Sequence, residues 1–396
     1  MQALLTTTRA WHLGQTARAF SERGALAGLW MADKNATQVP HGWYHRCWPY
    51  HLAIKPFYHL SPEHWQERAT YGLIGFWKRW LCAKLRSANC PKFDVAQAIL
   101  GFGSELFDKA EQVGALKVAD CPNSHPATLQ SAWQRECDLW CPGEQVPIPR
   151  WMFARMAREL ERADVVLCPS EFVRESMVSN GVPPAKCFLN PYGVDTTLFN
   201  SNEASVPRHS TLDTPCFISV GAISLRKGHQ YLFRAFETVK QAMPGAELIC
   251  VGDYKADFRK ERPRWAGLFR HYPKLSHPEL AKLLPTCTAF TLLSVEEGFA
   301  RAIPEAMAAG LPILATYQTG ASSLVKDGVE GMIVPARDPD TTAQAMIQLA
   351  SDPEMCQRMG NAARKKAVIG NSWQDYGDRL VAEYERRLNE TGKLTK

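Results

Sequence analysis

Residues 294–310 read SVEEGFARAIPEAMAAG, and this stretch carries the clearest structural signal in the chain. An apolar run precedes it and ends at Leu293, as a buried strand does. Pro304 stands near the expected first turn of a helix, where the N–H that proline lacks is not needed. Gly310 closes that helix, and Pro312 opens another apolar run. The stretch therefore predicts a strand, a loop and a helix, which is the repeating unit of a parallel sheet.

Apolar runs of the same kind recur through the rest of the chain. The C-terminal half contains predicted strands at Cys216 to Val220, Leu248 to Val251, Ala289 to Leu293, Pro312 to Thr316 and Met332 to Val334. The N-terminal half has weaker ones at Ala3 to Thr6, Ala96 to Leu100, Ala115 to Ala119 and Val165 to Cys168. Predicted helices around them are Thr16 to Arg23, Thr128 to Leu139, Trp151 to Arg162 and Glu171 to Ser179. This alternation predicts an α/β protein whose parallel sheets are covered by helices on both faces.

A polar segment divides the chain into two parts. Residues 201–215 show no apolar period, and we interpret them as a linker between residues 1–200 and residues 216–371. A last long helix is predicted at 372–390, where it is expected to pack back on the first domain. Two doubly wound, Rossmann-like domains joined in this way face each other across a cleft. Ligands of such sheets bind at the carboxyl ends of the strands.

The composition is that of an ordinary globular protein. The 396 residues are 45% hydrophobic and carry a formal net charge of +6, which is too small a surplus to indicate nucleic-acid binding. The 12 cysteines are scattered singly, which is typical of reduced thiols and not of a disulfide scaffold. Residues 1–20 lack the pattern of a signal peptide, and no run of about 18 apolar residues predicts a membrane span. We therefore expect a cytoplasmic protein.

The loop after Leu293 combines carboxylates with an anion site. The N–H groups of Gly298 to Arg301 are expected to be free at a helix start, where the positive end of the helix dipole also favours anions. Two carboxylates beside such a site, Glu297 and Glu305, are unusual unless they accept hydrogen bonds from hydroxyl groups. Carboxylates hold the vicinal diols of sugars and ribose in this way. The pattern indicates a ligand with both phosphate and hydroxyl groups.

This spacing resembles a known signature. Glu297 and Glu305, with seven residues between them and AMAAGLPI after them, are similar to the motif of glycosyltransferase family 4, a group of retaining enzymes with the GT-B fold. Four more segments resemble the family: ADVVLCPSEFVRESMVS at 163–179, PYGVDTTLF at 191–199, SVGAISLRKGHQYL at 219–232 and GVEGMIVPARD at 328–338. The resemblance covers roughly residues 163–390, and the first 120 residues match only loosely.

The resemblance implies roles for residues of the second domain. Glu297 is expected to contact the donor sugar, and Glu305 is expected to hold the ribose hydroxyls. Arg226 and Lys227, on the loop after the first strand of this domain, are expected to bind the diphosphate. The other expected donor-binding residues are Gly298, Phe299 and Ala300. Because fixed cations stabilise a departing diphosphate, neither a metal nor another cofactor is expected. The alternative for these carboxylates and cations is a solvated surface position.

The sequence departs from the family at several positions. Many members have an arginine after the glycine of the strand, where this chain has Ala222, so Arg226 or another residue must supply the second cation. Many members read Gly-Phe-Gly, whereas residues 298–300 read Gly-Phe-Ala. The double-glycine turn after the first strand is replaced by RAWHLG at 9–14. The candidate acceptor-side residues there, assigned on position alone, are Arg9, His12 and Gly14.

His125 is a second candidate catalytic residue beside Glu297. It follows a predicted strand in the segment CPNSHP, where some family members place a histidine that faces the reaction centre. A structural role is the alternative. Cys121, Cys137 and Cys141 could join His125 as zinc-type ligands, but their spacings match no common zinc pattern.

Two other features admit more than one interpretation. The Asp338-Pro-Asp340 segment imitates a metal-binding Asp-x-Asp motif, but Asp340 fits better as the N-cap of the helix that follows. Residues 71–93 contain five basic and no acidic side chains, with tryptophans near one helical face. Such a helix could lie on an anionic membrane, at the inner face of the bilayer, or pack on the first sheet with its basic side in water.

The sequence therefore predicts a retaining glycosyltransferase that uses a UDP- or GDP-sugar. The acceptor is expected to be a glycan, a lipid-linked sugar or a small molecule. The alternatives are a non-catalytic nucleotide-sugar-binding subunit and a GT-B epimerase that acts on the nucleotide sugar itself. The base, the sugar, the acceptor and the oligomeric state are not determined by these patterns.

Overall fold

The computed structural model describes residues 1–8, 12–32, 39–60, 71–199 and 214–392. These residues form two parallel sheets. The first contains β1 Ala3–Thr7, β2 Leu26–Met31, β3 Tyr44–Arg46, β4 Val95–Ile99, β5 Leu116–Asp120, β6 Val165–Cys168 and β7 Cys187–Leu189. The second contains β8 Cys216–Val220, β9 Glu247–Val251, β10 Arg270–Tyr272, β11 Ala289–Leu292, β12 Ile313–Thr316 and β13 Gly331–Val334.

Helices cover both sheets. Those of the first half are α1 Leu13–Glu22, α2 Trp48–Leu60, α3 Ile74–Arg86, α4 Ser104–Val113, α5 Pro126–Trp140, α6 Arg150–Arg162, α7 Glu171–Ser179 and α8 Thr196–Phe199. Those of the second half are α9 His229–Ala242, α10 His277–Leu283, α11 Ala302–Ala308, α12 Pro339–Ser351, α13 Pro353–Val368 and α14 Trp373–Thr391. Strands β1 and β4 are buried along their whole length, as expected of strands with helices on both faces.

Both sheets have a doubly wound strand order. The first runs β3-β2-β1-β4-β5-β6-β7 and the second runs β10-β9-β8-β11-β12-β13. In each sheet the chain moves outward from one central strand and then crosses to that strand's other side. The reversals between β1 and β4 and between β8 and β11 leave crevices at the carboxyl ends, where ligands of such sheets bind. The predicted α/β class with two Rossmann-like sheets is therefore confirmed.

The unpredicted strands are mostly short and lie at sheet edges. Strands β3, β7 and β10 have three residues each and stand at sheet edges, where burial is incomplete and apolar character is weak. Strand β2 reads LAGLWM and is almost fully buried, so its apolar run is a signal from which the sequence alone could have predicted it.

The last helix, α14, crosses to the first domain. Tyr376, Leu380 and Tyr384 are buried along one of its faces, which packs against α1. The Tyr384 hydroxyl donates a 3.1 Å hydrogen bond to Gln97 Oε1 on β4. A capping box formed by Ser372 and Asp375 fixes the start of the helix.

Helix α3 buries the apolar face that the sequence displays. Trp77, Leu81 and Leu85 lie in the hydrophobic core of the first domain, while Arg79 and Arg86 are exposed. Trp77 is therefore packed inside the protein, and the partly buried Trp80 lies beside Trp30 of β2. Within the described part of the chain, no helix combines the length and hydropathy needed to cross a membrane.

The predicted N-cap of the helix after residue 338 is wrong. Asp340 does not cap α12, because Asp338 does: its carboxylate accepts a 3.0 Å hydrogen bond from the Thr341 N–H. Asp338 is the N-cap because it directly precedes Pro339, which occupies the first helical position. Most of the predicted linker, and Arg9 with it, lies outside the described residues.

Candidate functional site

The loops after β8 and β11 lie against each other at the switch point of the second sheet. Gly228 has φ +72°, and a Cβ there would lie 1.9 Å from the Leu293 carbonyl oxygen, so only glycine fits. The Val295 N–H donates a 2.9 Å hydrogen bond to the Arg226 carbonyl oxygen. This close approach brings the predicted diphosphate loop and the predicted sugar-contacting loop together.

Lys227 and Glu297 form an ion pair at this junction. The Lys227 Nζ lies 3.8 Å from the position of a Cβ on Gly221, so the cation stands directly beyond the end of β8. Burial alone would raise the pKa of the Glu297 carboxyl, but the charges of Lys227 and Arg226 outweigh burial and hold that pKa below its ordinary value. Glu297 is therefore ionised at neutral pH. Its contacts with Lys227 and Ser294 both use Oε2, and within the described residues Oε1 has no partner.

Arg226 is held by the neighbouring carboxylate. Its Nη1 donates to Glu296 Oε2 at 3.0 Å and to the Glu296 carbonyl oxygen at 2.9 Å. The guanidinium also lies 5.5 Å from the centre of the Trp133 ring, which belongs to the first domain. The other oxygen of Glu296 accepts from the Ser124 N–H at 3.0 Å and from the Ser124 hydroxyl at 2.8 Å. A single carboxylate thus connects the second-domain arginine to the first domain.

At Gly298 the backbones of the two domains approach each other closely. A Cβ at this position would lie 1.7 Å from the Pro122 carbonyl oxygen. The Ser170 hydroxyl, also from the first domain, donates a 2.6 Å hydrogen bond to the Gly298 carbonyl oxygen. The predicted row of free N–H groups at 298–301 is incomplete, because the Ala300 N–H donates to the Thr319 carbonyl oxygen at 3.1 Å. The acceptor belongs to the turn that follows β12, so the sequence of the loop at 298–301 alone does not reveal this hydrogen bond.

Glu305 lies in the first turn of α11. About a sixth of its side chain, 17%, is exposed. His277 Nε2 approaches its Oε1 at 3.6 Å. A hydrogen bond to Glu305 raises the pKa of His277 above its ordinary value. The carboxylate therefore sits at the mouth of the site with most of its hydrogen-bonding capacity available.

His125 is the N-cap of α5. Its Nδ1 accepts a 3.2 Å hydrogen bond from the Ala127 N–H. The backbone N–H of His125 donates to the Ser176 hydroxyl at 2.9 Å. Burial lowers the pKa of the imidazole, so the ring is neutral at pH 7. In that state Nδ1 accepts, so Nε2 carries the proton. Among the described residues Nε2 has no hydrogen-bond partner. The structural alternative therefore accounts for one ring nitrogen and leaves the other for a ligand.

The first-domain candidates near β1 are turned inward. His12 Nε2 lies 2.8 and 2.9 Å from the two oxygens of Asp120, and the ring stacks on Tyr192 at 4.2 Å. Only 3% of the His12 side chain is exposed. Gly14 is buried in α1. An acceptor contact by these residues stays a prediction.

The candidate zinc ligands do not assemble. Within the described residues, no group of three or more histidine, cysteine, aspartate or glutamate side chains is arranged to hold a metal ion. Cys141 instead donates its thiol to the Asp257 carbonyl oxygen at 3.2 Å, and burial raises the pKa of Cys137 to about 12.

Two cavities open beside α5. One, of about 340 Å³, lies between the domains and is lined by Trp133 and Cys137 on one side and by Asp257 and Arg259 on the other. The Trp133 indole N–H donates to Asp257 Oδ2 at 3.1 Å across this cavity. The other, of about 620 Å³, lies on the first domain. Its lining includes Gln130, Asp138, Arg150 and Trp151.

Several residues of the site were not predicted. Glu296 directly precedes Glu297 in the loop, and this adjacency was the one sequence feature that could have indicated a role for Glu296. Nothing in the sequence places Ser124 opposite it, because the two are 172 residues apart. Glu136 was also missed; its buried carboxylate accepts from Gln230, Tyr231 and Arg337 of the second domain.

Comparison with known proteins places the chain in a family. The family model for glycosyl transferases group 1 matches residues 202–366, and the model for glycosyltransferase family 4 matches residues 131–198. A GDP-mannose-dependent alpha-(1-6)-phosphatidylinositol monomannoside mannosyltransferase of Mycolicibacterium smegmatis is 28% identical over 60% of this chain and 65% of its own length. A D-inositol 3-phosphate glycosyltransferase of Kribbella flavida is 27% identical over 63% of this chain and 62% of its own. The match thus spans less than two thirds of these relatives.

Solved structures share the whole architecture at low sequence identity. A sucrose-phosphate synthase from Thermosynechococcus elongatus superposes with a TM-score of 0.74 at 17% identity, covering 98% of this chain and 100% of that one. The Anabaena protein HepE, solved in complex with UDP-glucose, superposes with a TM-score of 0.69 at 15% identity and the same coverage. The predicted resemblance and fold are confirmed: the chain contains the glycosyl transferases group 1 and glycosyltransferase family 4 domains and has the GT-B fold.

Proposed function

We propose that this chain is a retaining glycosyltransferase that moves a hexosyl group from a UDP- or GDP-sugar to a hydroxyl of an acceptor. The observation that carries the proposal is the junction at the second switch point. There Lys227 and Arg226 place two cations beside the end of β8, and Glu297 leaves one carboxylate oxygen open next to them. This combination suits a sugar diphosphate, whose phosphates need cations and whose hydroxyls need acceptors.

Each residue has a role in the proposed reaction. Lys227 and Arg226 bind the diphosphate and stabilise the charge that develops on it as its bond to the sugar C1 breaks. Glu297 accepts a hydrogen bond from the sugar, and Glu305 accepts from the ribose. The acceptor oxygen forms the new bond to C1 on the same face and gives up its proton to the departing diphosphate. In this proposal no metal or other cofactor takes part, because Lys227 and Arg226 supply the cationic groups at the leaving diphosphate.

Two relatives agree with this donor class. The mycobacterial relative is named for its dependence on GDP-mannose, and HepE is described in complex with UDP-glucose. These names support a nucleoside-diphosphate sugar without choosing between uracil and guanine.

The acceptor side is proposed to lie on the first domain, near His125. The 620 Å³ cavity on the same domain offers amide, carboxylate and guanidinium groups together with the half-exposed ring of Trp151. Planar polar groups beside an aromatic ring suit a polyhydroxylated acceptor such as a glycan, a glycolipid headgroup or a small sugar alcohol.

The donor class is tested by thermal denaturation with a panel of UDP-, GDP- and ADP-sugars in the presence of EDTA. A ligand present at 100 times its dissociation constant stabilises the folded protein by about 2.7 kcal/mol, so a true donor raises the melting temperature without added metal. An unchanged melting temperature for the whole panel would contradict the proposal. A rise that EDTA abolishes would contradict the metal-independent mechanism.

A further inference from the structure

Glu296 is a completely buried carboxylate for which the proposed reaction has no direct use. Its side chain is 0% exposed, and it sits on the second-domain loop between β11 and α11. Burying a carboxylate costs several kcal/mol unless hydrogen bonds replace water. Its hydrogen bonds therefore indicate what the protein gains from placing it there.

Both oxygens of Glu296 are occupied, and their donors come from opposite walls of the cleft. Oε2 accepts from the Arg226 guanidinium of the second domain. Oε1 accepts from the backbone N–H and the hydroxyl of Ser124 in the first domain. Ser124 immediately precedes His125, so the same carboxylate holds the segment that carries the candidate histidine.

The occupancy of both oxygens separates Glu296 from its neighbour. Glu297 keeps Oε1 without a partner within the described residues, and it can therefore contact a sugar. Glu296 has no such oxygen, because Arg226 and Ser124 already use both. It can influence the reaction only through the groups that it holds.

We propose that Glu296 is a positioning residue that fixes Arg226 and the Ser124–His125 segment at a set separation across the cleft. This inference rests on the proposed transfer reaction. In that reaction the diphosphate is bound on one wall and the acceptor on the other. Because Glu296 touches both walls, its loss leaves each wall intact but lets the separation vary. A misplacement of about 1 Å between reacting groups costs about a hundredfold in rate.

The test compares Glu296→Gln and Glu296→Ala with a matched control, Tyr317→Phe. The Tyr317 hydroxyl donates a 2.5 Å hydrogen bond to Glu175 across the same domain interface, but in an exposed position. The amide of Glu296→Gln still accepts from Ser124 and loses only its acceptor for Arg226, so it should retain part of the function. We expect kcat for donor turnover to fall about tenfold in Glu296→Gln and about a hundredfold in Glu296→Ala, with kcat of Tyr317→Phe within about twofold of wild type.

The binding constants separate positioning from donor binding. We expect KM for the donor and Kd for the free nucleoside diphosphate to stay within about threefold in both Glu296 variants. Lys227 and Glu305 are unchanged, and Arg226 keeps its hydrogen bond to the backbone carbonyl oxygen of residue 296. A rise in Kd that matches the fall in kcat would overturn the inference. So would an equal loss of kcat in Tyr317→Phe, because it would indicate that any interdomain contact has the same effect.

Amide hydrogen exchange tests the bridge without relying on turnover. The Ser124 N–H donates to Glu296 Oε1, so its exchange should accelerate in Glu296→Ala and not in Tyr317→Phe. Unchanged Ser124 exchange in Glu296→Ala would refute the bridge. If wild type turns over no nucleotide sugar, the proposed function fails, and the exchange result still decides the fate of the bridge.

Discussion

At the scale of single residues, the donor site is a set of charges that the fold brings into contact. Lys227 and Glu297 come from loops 70 positions apart in sequence, and they meet because β8 and β11 are neighbours at the switch point. The sequence motif predicted a carboxylate and a cation for one donor site, and the fold brings these two residues together. It could not indicate that the two would pair with each other, because pairing depends on the strand order.

The role of Glu305 gives a direct prediction. Replacing it with alanine should weaken free nucleoside diphosphate and intact nucleotide sugar alike, because the ribose is common to both. The loss of an acceptor for ribose hydroxyls is worth about 1–3 kcal/mol. Isothermal titration of both ligands checks this. Equal affinities in wild type and variant would remove Glu305 from the ribose site.

His229 gives a prediction for stability against pH. The side chain is 1% exposed, and burial lowers its pKa to about 3. Because the unfolded chain protonates near pH 6.5 and the folded state does not, His229 contributes stability above pH 6.5 that is lost as pH falls. His229→Asn retains an acceptor for the Ser224 N–H. Between pH 7 and pH 4, the free energy of unfolding of His229→Asn should fall by about 2–3 kcal/mol less than that of wild type.

His277 is the control for this experiment, because its pKa is shifted in the opposite direction. The pKa of His277 is raised by its hydrogen bond to Glu305, so its contribution is complete below pH 6.5 and declines as pH rises through the folded pKa. Chemical unfolding of His277→Asn over the same pH range should therefore differ from wild type mainly at low pH. If His229→Asn and wild type lost stability in parallel, the buried neutral histidine would not be responsible.

At the scale of elements, most helices and strands follow from local patterns, and their partners do not. The predicted strands at the core of both sheets are present, because they are apolar and bounded by turn residues. The apolar face of α3 was visible in the sequence, but two surfaces could cover it: a bilayer or the first sheet. The structure covers it with the first domain itself: Trp77, Leu81 and Leu85 are buried, and helices α2 and α4 pack beside α3.

Helix α3 therefore predicts a folding defect and not a membrane defect. Trp77→Ala should cost about 3–5 kcal/mol of stability, the usual effect of truncating a buried aromatic side chain. Replacing Lys78, Arg79, Lys84 and Arg86 with glutamine should leave the melting temperature nearly unchanged. Wild type should stay in the supernatant with anionic vesicles. Sedimentation that the glutamine variant loses would restore the membrane interpretation.

The loop after β11 predicts a strict requirement for glycine. A Cβ at Gly298 would overlap the Pro122 carbonyl oxygen, so Gly298→Ala must separate the domains or displace the loop. Turnover should fall about tenfold or more. Gly75→Ala is the control, since a Cβ there meets nothing within 4 Å and alanine stabilises a helix by about 0.5–1 kcal/mol relative to glycine. Normal turnover in Gly298→Ala would show that the domains need not approach this closely.

At the scale of the whole molecule, two buried carboxylates join the domains. Glu136, on α5 of the first domain, accepts hydrogen bonds from three second-domain side chains at 2.6–2.9 Å. Glu296 belongs to the second domain and accepts from Ser124 of the first. Helix α14 adds a third connection, since it follows the second domain in sequence and packs on the first. These contacts determine how the two walls of the cleft face each other.

This level was the least predictable from sequence. The motifs predicted the donor-binding residues because these lie close together in one half of the chain. Glu136 and Ser124 lie in the other half, and their partners are 94 to 201 residues away. Polar residues with distant partners carry no local period, so only the folded arrangement reveals them.

The most direct test of the central claim is the release of nucleoside diphosphate from a panel of UDP-, GDP- and ADP-sugars, measured in EDTA for wild type and Glu297→Ala. We expect wild type to release nucleoside diphosphate from a UDP- or GDP-sugar, slowly with water alone and faster with a suitable sugar acceptor. Glu297→Ala should bind free nucleoside diphosphate normally but release it from the donor at least about tenfold more slowly, because only the sugar contact is lost. No release from any donor by wild type, or equal release by the variant, would contradict the account.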